Sequence, residues 1–435
     1  MIFKLRTKEL LHTNHYKIKE ISEVINVSTP STKEEDNYDG DIIWLTPKDL
    51  SDQRTKYIYQ GERNITKKGY DSCGTKMIPP DNIIMSSRAP IGLLSINKNE
   101  CCTNQGFKSL ILNKNLADTN YMYYFIKHHM PQIEALGSGT TFKEVSKDSM
   151  ENYEIDIPDL LTQKKIADVL SCIDDKIALN NKTNTELENM AKTIYDYWFT
   201  QFDFPDKNGH PYKTSSGQMV NNETLKREIP AGWEVKRLGD LFITNRGVSY
   251  NTKSITAENG IPMINLASFT PTGEYNLNGI KTYSGDFAEE KKLKPYDLVM
   301  CNTQQTAIDF SKDIIGKVLL VPDIFDGDIV SSHHVNTIKF FNENLKLYFF
   351  RFFNTDFFHK YISNFANGTS ILGLIFSGVE DYMAVIPPDS VLNEFNKLMF
   401  KIEKKKNLII KEKINLIKLR DYLLPLLMNG QITIN

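Results

Sequence analysis

The sequence predicts an α+β protein in which two tandem α/β domains are separated by two long helices that form an antiparallel coiled coil. Two long runs with the same heptad-like spacing of apolar residues occur in the chain, and the sequence ahead of each run is similar. A helix with such a stripe is stable only when the stripe packs on another helix. We therefore expect the two runs to pack on each other.

The first run lies between Thr162 and Phe199, where apolar residues recur at alternating steps of four and three. This spacing places the side chains on one stripe of a helix. Neither Pro nor Gly interrupts the run, and at ~1.5 Å per residue it would be about 55 Å long. The residues predicted to form its side of the interface are Ile166, Leu170, Ile173, Ile177, Leu187, Ile194 and Trp198.

The second run has the same phase, because Phe395 follows Ile166 by 229 positions and the later stripe positions keep that offset. A constant offset over so many positions indicates an internal duplication rather than two unrelated helices. The residues predicted to form this side of the interface are Phe395, Met399, Ile402, Ile409, Leu416 and Leu423.

Polar residues occupy several positions of both stripes. Asn180 and Asn184 lie on the first, and Lys406, Lys413 and Arg420 lie on the second. Polar residues in such a seam fix the register of the helices at some cost in stability. We expect the three basic side chains to meet the two asparagines and nearby acidic residues.

The duplication continues upstream of the helices. Residues 139–141 align with 368–370, and the strand-like segment 151–158 aligns with 380–387. Short strand-like pieces separated by Pro, Gly and Asn precede both segments, as is typical of a mixed α/β domain. The predicted boundaries are 1–160 for the first domain, 161–200 for the first helix, 201–232 for a connector, 233–389 for the second domain, and 390–435 for the second helix with a C-terminal tail.

Composition indicates a cytoplasmic globular protein. Hydrophobic residues make up 40% of the 435 residues, and no apolar run approaches the ~20 residues of a membrane-spanning helix. The five cysteines are odd in number and have no C-x-x-C spacing, which favours reduced thiols and no metal site. A net charge of −2 argues mildly against nucleic-acid binding, but a total can hide a local basic surface.

The chain lacks the familiar catalytic and nucleotide-binding motifs, including the phosphate loop and the zinc-protease and serine-hydrolase signatures. A magnesium-dependent nuclease site could combine Asp206 with Glu234 and Lys236. These residues lie in the connector and in the second domain, so the combination is weak. Asp174 and Asp175 are expected to face solvent on the first helix. The sequence therefore predicts no catalytic residue and no bound metal.

Residues suited to nucleic acid occur at corresponding places in both domains. Arg and Lys match guanine edges and phosphates, whereas Asn and Gln match adenine edges. Different side chains at equivalent positions are what independent reading of two sequences requires. The candidates are Arg54, Lys56, Lys68, Lys76, Arg88, Asn104, Gln105, Ser138, Gly139, Thr140 and Thr141 in the first domain, and Arg246, Asn265, Asn302, Gln304, Gln305, His333, His334, Asn367, Gly368, Thr369 and Ser370 in the second.

The connector and the entry to the second domain carry a family resemblance. Residues 203–217 and 228–240 resemble the central conserved segment of the specificity subunits of type I restriction-modification systems, together with the start of their second target-recognition domain. Residues 139–141, 157–158 and 163–167 are similar to that family's passage from recognition domain to helix. The resemblance covers nearly the whole chain.

The resemblance implies a sequence-specific DNA-binding subunit without catalytic activity or a cofactor of its own. Its two target-recognition domains would each read one half of a bipartite, asymmetric sequence in double-stranded DNA. Two modification subunits carrying S-adenosylmethionine would methylate adenine N6, and restriction subunits using ATP and Mg²⁺ would join them; no membrane is involved. Two alternatives remain open: an autonomous DNA endonuclease or methyltransferase, and a coiled-coil scaffold without nucleic-acid binding.

Overall fold

The computed structural model describes residues 3–5, 12–53, 55–139, 143–256, 260–305 and 312–434. The chain forms two compact units: residues 1–179 with 413–435, and residues 180–412. The predicted fold class, two mixed α/β domains with two long helices, is confirmed. Each long helix is shared between the units, and the boundaries of 1–160, 161–200, 201–232, 233–389 and 390–435 stay a prediction.

Among its described residues up to position 179, the first unit contains eleven strands and the start of the first long helix. The strands are β1 Phe3–Leu5, β2 Thr13–Lys17, β3 Ser22–Ile25, β4 Tyr38–Leu45, β5 Tyr57–Ile58, β6 Asn64–Ile65, β7 Ile83–Ser87, β8 Ile91–Asn97, β9 Cys102–Thr103, β10 Ser109–Leu112 and β11 Glu154–Pro158. The helices are α1 Ile18–Ile21, α2 Pro47–Gln53, α3 Lys67–Asp71, α4 Thr119–His128, α5 Met130–Ala135, α6 Lys147–Glu151 and α7 Leu160–Tyr195. We call the described residues from 12 to 159 domain 1.

The second unit follows a similar plan after a π-helical turn, Asp196–Thr200, at the end of α7. Its strands are β12 Met219–Asn222, β13 Arg227–Pro230, β14 Glu234–Arg237, β15 Phe242–Arg246, β16 Ile255–Thr256, β17 Ile261–Ile264, β18 Lys281–Tyr283, β19 Lys292–Leu293, β20 Leu298–Cys301, β21 Thr303–Gln305, β22 Val318–Leu320, β23 Ile329–Ser331, β24 Val335–Phe340, β25 Ala366–Asn367, β26 Ile371–Leu374 and β27 Met383–Ile386. Its helices are α8 Leu345–Phe353, α9 Asp356–Ser363, α10 Ser377–Glu380 and α11 Asp389–Met428, after which β28 Ile432–Ile434 belongs to the first unit. The described residues from 233 to 388 are domain 2.

Four strands have the same order in the main sheets of the two domains. The five-stranded sheet of domain 1 has the order β3-β10-β7-β8-β5, and the four-stranded sheet of domain 2 has the matching order β15-β24-β20-β22. The first and last strands of each domain pair antiparallel, β2 with β11 and β14 with β27. Each domain also contains a parallel pair, β4 with β9 and β17 with β23. The duplication inferred from the sequence is therefore present in the strand order.

The long helices pack on each other and on the domains. In the first unit Ile166, Leu170 and Ile173 share a core with Leu423 and Leu427, and Ile177 and Leu416 are partly buried beside it. In the second unit Trp198, Phe395, Met399 and Ile402 share a core, with Leu187 and Ile194 partly buried against it, and Ile409 is also buried. The ring centroids of Trp198 and Phe395 lie 5.8 Å apart.

Polar contacts show that the helices are antiparallel. In the second unit Asn180 Nδ2 lies 2.9 Å from Glu412 Oε2, and Glu188 Oε2 lies 2.5 Å from Lys406 Nζ. The contacts therefore advance along α7 as they retreat along α11. In the first unit Arg420 bonds Asp174 rather than an asparagine. The expectation that Asp174 faces solvent is wrong, because α11 and domain 1 both approach that side of α7.

Two small antiparallel strand pairs resemble each other. In the connector Met219 pairs with Pro230 and Asn222 with Arg227, forming the hairpin β12–β13. In the first unit β28 pairs with β1, the first and last strands of the described chain, with Ile432 opposite Leu5. Both pairs begin after a Gly-Gln dipeptide, at 217–218 and 430–431. Within the described part of the chain, no helix has the length and apolar character to cross a membrane.

Candidate nucleic-acid interface

A short glycine-containing hairpin follows the small helices of each domain. In domain 1 Ser138 and Glu144 form a backbone bridge, and in domain 2 Asn367 pairs with Gly373, each 229 positions later. We call residues 138–139 with 143–144, and residues 367–373, the glycine hairpins. Thr140 and Thr141 lie outside the described residues, whereas Thr369 and Ser370 are exposed at the tip of the second hairpin.

Each glycine hairpin is anchored to the same place in its domain. The amide of Val145 donates to the carbonyl of Ser87 over 3.0 Å, and the amide of Leu374 donates to the carbonyl of Asn302 over 2.8 Å. Gly139 and Gly368 have φ angles of 125° and 141°, a region open essentially to glycine. A Cβ at Gly368 would lie 2.0 Å from the carbonyl oxygen of Ile371. These glycines are therefore required by the backbone.

The polar pair beside each hairpin differs between the domains. In domain 1 Lys108 Nζ lies 3.3 Å from Ser87 Oγ, and in domain 2 Asn302 Nδ2 lies 2.7 Å from Asn336 Oδ1. A lysine with a hydroxyl and two amides present different hydrogen-bond donors and acceptors. The common backbone thus carries different chemistry in the two domains.

The predicted basic residues of domain 1 make ion pairs within the domain. Glu144 accepts from Lys108 at 3.0 Å and from Arg88 at 3.4 Å. Lys68 pairs with Asp36 at 3.1 Å and Lys76 pairs with Glu23 at 3.2 Å, both on the surface. Exposed pairs of this kind contribute little to stability. Their lysines can therefore exchange a carboxylate for a phosphate at small cost.

The other predicted residues of domain 1 have varied surroundings. Lys56 Nζ lies 2.7 Å from Ser171 Oγ on α7 and 4.8 Å from the ring centroid of Tyr124, and burial lowers the pKa of Lys56 to about 8. Asn104 Oδ1 accepts from the amide of Gly106 at 2.9 Å, and Gln105 hydrogen-bonds the Thr29 hydroxyl. Arg54 lies outside the described residues.

Domain 2 contains a cleft of about 420 Å³ next to its glycine hairpin. Gln304 lines the cleft and pairs with Leu372 of the hairpin, so the two features form one surface. The Tyr250 ring lies 5.4 Å from the His333 ring and 6.4 Å from the His334 ring. The lining residues are Tyr250, Asn265, Leu266, Ala267, Lys281, Gln304, Lys312, Ile314 and His334.

The cleft is basic. Lys281 and Lys312 are exposed, and the described residues that line the cleft include no Asp or Glu. Arg246 Nε donates to the carbonyl of His333 at 2.7 Å, which holds a third cation nearby. Burial, followed by the charge of Arg246, lowers the pKa of His333, and burial with its charged neighbours lowers the pKa of His334. Both imidazoles are therefore neutral at pH 7, so the cleft combines cations with uncharged hydrogen-bonding rings.

Several predicted residues of domain 2 build the walls of this cleft. Asn265 is buried; its Oδ1 accepts from the amide of Ala267 at 3.0 Å and its Nδ2 donates to the carbonyl of Gly279 at 2.7 Å. Gln304 Oε1 accepts from the amide of Ile314 at 2.7 Å. The side chain of Gln305 lies outside the described residues. Asn265 and Gln304 thus hold backbone segments in place.

Tyr250, Lys281 and Lys312 were absent from the predicted set. They are far apart in sequence, and no local motif marks them; the fold alone brings them to one cleft. His334 was predicted, and its Nδ1 lies 2.7 Å from Thr303 Oγ1.

The residues considered for a nuclease site have structural partners. Asp206 Oδ1 accepts from the amides of Asn208 and His210 at 2.8 and 2.9 Å, as in a turn. Glu234 Oε2 pairs with Lys236 Nζ at 2.6 Å. Among the described residues, no group of three or more His, Cys, Asp and Glu side chains is arranged to hold a metal ion.

Comparison with known proteins places this surface in a family context. Residues 13–189 match the family model of the type I restriction modification DNA specificity domain. The Type I restriction enzyme MjaIX specificity subunit of Methanocaldococcus jannaschii is 34% identical over 423 residues, which cover 96% of this chain and 93% of that protein. The Type I restriction enzyme HindI specificity subunit of Haemophilus influenzae is 24% identical over 67% of this chain and 72% of its own length.

A solved structure has the same fold. The S subunit of a type I restriction-modification system from M. genitalium aligns with a TM-score of 0.57 at 15% identity, covering 98% of this chain and 99% of its own. The fold agrees with the long sequence match to the specificity subunit of M. jannaschii. The chain therefore belongs to the family of type I restriction-modification DNA specificity subunits.

Proposed function

We propose that this chain reads a bipartite, asymmetric sequence in double-stranded DNA, one half with each domain, and positions partner subunits on it in the cytoplasm. A type I specificity subunit is non-catalytic, and the catalytic activities belong to the other subunits of the complex.

One observation carries the proposal. Both domains have the same strand order and the same anchored glycine hairpin, yet the polar side chains beside the hairpins differ. A repeated scaffold with different side chains suits the reading of two different sequences in the same manner. Because base contacts specify the sequence while phosphate contacts position the protein, the two halves of the target would differ in sequence but be approached similarly.

The long helices would separate the two half-sites. Both α7 and α11 are longer than the ~34 Å of one duplex turn at ~1.5 Å per residue, given their 36 and 40 residues. Two repeats whose long helices run antiparallel suit half-sites on opposite strands. The length of unspecified DNA between the half-sites would then be set by the helix pair.

Exposed apolar side chains on the helices support two equivalent partners. Leu179 and Leu408 are 229 positions apart and are 55% and 54% exposed, and Met190 and Leu419, also 229 apart, are 46% and 45% exposed. Equal exposure at equivalent positions supports this part of the proposal, in which each of two modification subunits would bind one of two matching surfaces. These subunits would bind S-adenosylmethionine and methylate adenine N6 after flipping the base. Restriction subunits that use ATP and Mg²⁺ would join the complex.

An exchange of domain 2 tests the proposal. Residues 233–389 are replaced by the equivalent segment of a relative, and the chimera is produced with the cognate modification subunits. Methylated adenines are then mapped in a host genome for the parent chain and for the chimera. We expect the parent to give a two-part motif and the chimera to change one part only, with the spacer length unchanged.

A change in both parts would contradict the modular proposal, and a motif without a spacer would contradict the bipartite one. Methylation or cleavage of DNA by the purified chain alone would instead support an autonomous enzyme. Absence of duplex binding at any salt concentration would favour the scaffold, because phosphate contacts make DNA binding steeply dependent on salt.

A further inference from the structure

One carboxylate of α7, that of Asp174, contacts both domain 1 and α11. Tyr124 on α4 donates its hydroxyl proton to Asp174 Oδ2 on α7 over 2.7 Å. Arg420 on α11 bonds the other oxygen, Oδ1, over 2.8 Å. The side chain of Asp174 is only 12% exposed, so these contacts are largely shielded from water. We call Tyr124, Asp174 and Arg420 the domain 1 key.

Domain 2 is joined to the helices by a larger group of charges. Arg351 on α8 bonds Glu188 on α7 with Nη1 and Glu403 on α11 with Nη2. Lys406 Nζ lies 2.5 Å from the second oxygen of Glu188 and 3.6 Å from Glu403. The side chains of Arg351 and Glu403 are 5% and 8% exposed. We call Arg351, Glu188, Glu403 and Lys406 the domain 2 key.

The two keys share one equivalent carboxylate position and differ in which part of the protein supplies the cation. Glu403 follows Asp174 by 229 positions, the offset of the repeat. In domain 1 the domain supplies a neutral hydroxyl and the opposing helix supplies the cation. In domain 2 the domain supplies the cation and the opposing helix supplies a second carboxylate. The polar group on α4 therefore complements the charges of the helix segments in the first unit, and the cation on α8 complements those in the second unit. Neither would complement the charges of the other unit.

These contacts fix the orientation of each domain on the long helices as well as its distance from them. The planar guanidinium of Arg351 reaches two carboxylates with separate nitrogens, so a rotation of α8 against the helices would break at least one bond. Burial works to raise the pKa of Glu188, but Arg351 and Lys406 outweigh it and hold that pKa below its usual value. Apolar contacts alone are non-directional and would permit small rotations.

We propose that the domain 1 key and the domain 2 key set the angle at which each recognition domain is held on the helix pair, and through it the spacer length that the complex accepts. The inference rests on the proposed function, since a spacer exists only if the target has two halves. The key residues are positioning residues: they do not touch DNA. Loosening a key lets its domain meet half-sites at neighbouring spacings.

The test uses the full chain assembled with its modification subunits. A plasmid library carries the two half-sites of the parent motif at the native spacing and at spacings one base pair shorter and longer, and methylation of each plasmid is scored. In Tyr124→Phe only the hydroxyl is lost, and the preference for the native spacing should fall about fivefold. In Arg351→Met it should fall about tenfold or more, and Arg351→Lys should restore part of it.

Tyr121→Phe is the matched control for domain 1, because Tyr121 lies buried on the same helix and its hydroxyl makes no hydrogen bond to a described residue. Lys397→Met is the control for domain 2, since Lys397 on α11 pairs only with exposed Glu394 among the described residues. Both controls should keep the parent spacing preference.

The outcomes separate the two proposals. If the parent chain shows no spacing preference, the bipartite function fails. If the parent is selective and Tyr124→Phe and Arg351→Met are equally selective, the keys do not set the angle, even where methylation falls at every spacing. If Arg351→Met does not fold, Tyr124→Phe decides alone, because removal of one hydroxyl leaves no cavity larger than an oxygen atom.

Discussion

The two domains share a backbone plan and differ in how they hold positive charge. In domain 1 Lys68, Lys76, Arg88 and Lys108 are all within 3.4 Å of a carboxylate. In domain 2 Lys281 and Lys312 border a cleft and make no ion pair with a described residue. The same fold therefore carries ion-paired cations at the predicted positions of one copy and cations without an ion pair at the cleft of the other.

This difference indicates that the two domains contribute unequally to phosphate contacts, which position the protein on DNA, and to base contacts, which read the sequence. A cation without a protein partner gains most from a phosphate, because it gives up no existing contact. A cation already paired must exchange one carboxylate for a phosphate, which gains little. We infer that domain 2 supplies more of the salt-dependent affinity for DNA, while domain 1 contributes relatively more through its hydrogen-bonding groups.

The largest effect should come from removing the cations of the cleft. In the double variant Lys281→Ala/Lys312→Ala, two phosphate contacts are lost, so affinity for duplex DNA should fall on the order of 50-fold at low salt. The slope of log affinity against log salt concentration should become shallower by about 1.8. Fluorescence anisotropy over a salt series measures both quantities.

The matched control for this experiment is Lys68→Ala/Lys76→Ala, which removes two ion-paired lysines of domain 1. Its affinity should change less than about threefold, because exposed ion pairs are nearly neutral in energy. Equal losses of DNA affinity in the two double variants would show that the cations of the two domains contribute equally to DNA binding.

A smaller effect should follow from the histidines of the cleft. Their lowered pKa values leave His333 and His334 neutral at pH 7, and protonation at lower pH would add positive charge to the cleft. DNA affinity at pH 5.5 relative to pH 7.5 should therefore be about fivefold higher in the parent than in His333→Gln/His334→Gln.

The titration of these histidines also makes the stability of the folded protein depend on pH. The unfolded chain binds these protons first, at about pH 6.5, so the folded state loses stability as the pH falls through that value towards the lowered pKa values. The parent should consequently lose more melting temperature than the double glutamine variant over this range. An identical pH dependence in the two proteins would assign the titration to other groups.

The smallest effect on binding should come from freeing the cations of domain 1. In Glu144→Gln, Lys108 and Arg88 lose their carboxylate, and affinity for nonspecific duplex DNA should rise about twofold. The melting temperature should fall, because Lys108 is only 3% exposed and would be left buried without an opposing charge.

Glu23→Gln serves as the comparison, since it frees only the exposed Lys76 and should leave the melting temperature unchanged. A melting temperature unaffected by Glu144→Gln would mean that Lys108 finds another partner. Lower DNA affinity in that variant would mean that Glu144 itself positions the hairpin.

Sequence periodicity predicted the helices well, because one strong signal, a stripe repeated every three or four residues, determines where a helix must be buried. It placed Leu170 and Phe395 in helices whose stripes are buried in the structure. The expectation that Asp174 faces solvent was wrong. The spacing of apolar residues shows which side of α7 packs on a helix, but it does not show that Tyr124 of domain 1 contacts Asp174 from another side. For Arg351, the sequence signal was a single cation among the aromatic residues of α8, which indicates a buried acidic partner.

The candidate interface was harder to predict, because it depends on residues that only the fold brings together. Tyr250, Lys281 and Lys312 converge on one cleft from three separate segments. Lys56 has the residue type expected for a phosphate contact, yet its amine bonds Ser171 on α7. Residue type therefore indicated the chemistry of the surface, but not which members of each type reach it.

The pairing of β1 with β28 has a consequence for biosynthesis. The first unit needs residues 413–435, which are translated after the whole of the second unit, a continuous segment from 180 to 412. The unit that begins first is thus completed after the other. Until then the apolar stripe around Leu170 lacks Leu423 and Leu427, and a stop codon shortly before residue 413 would damage a domain that is encoded about 250 codons upstream.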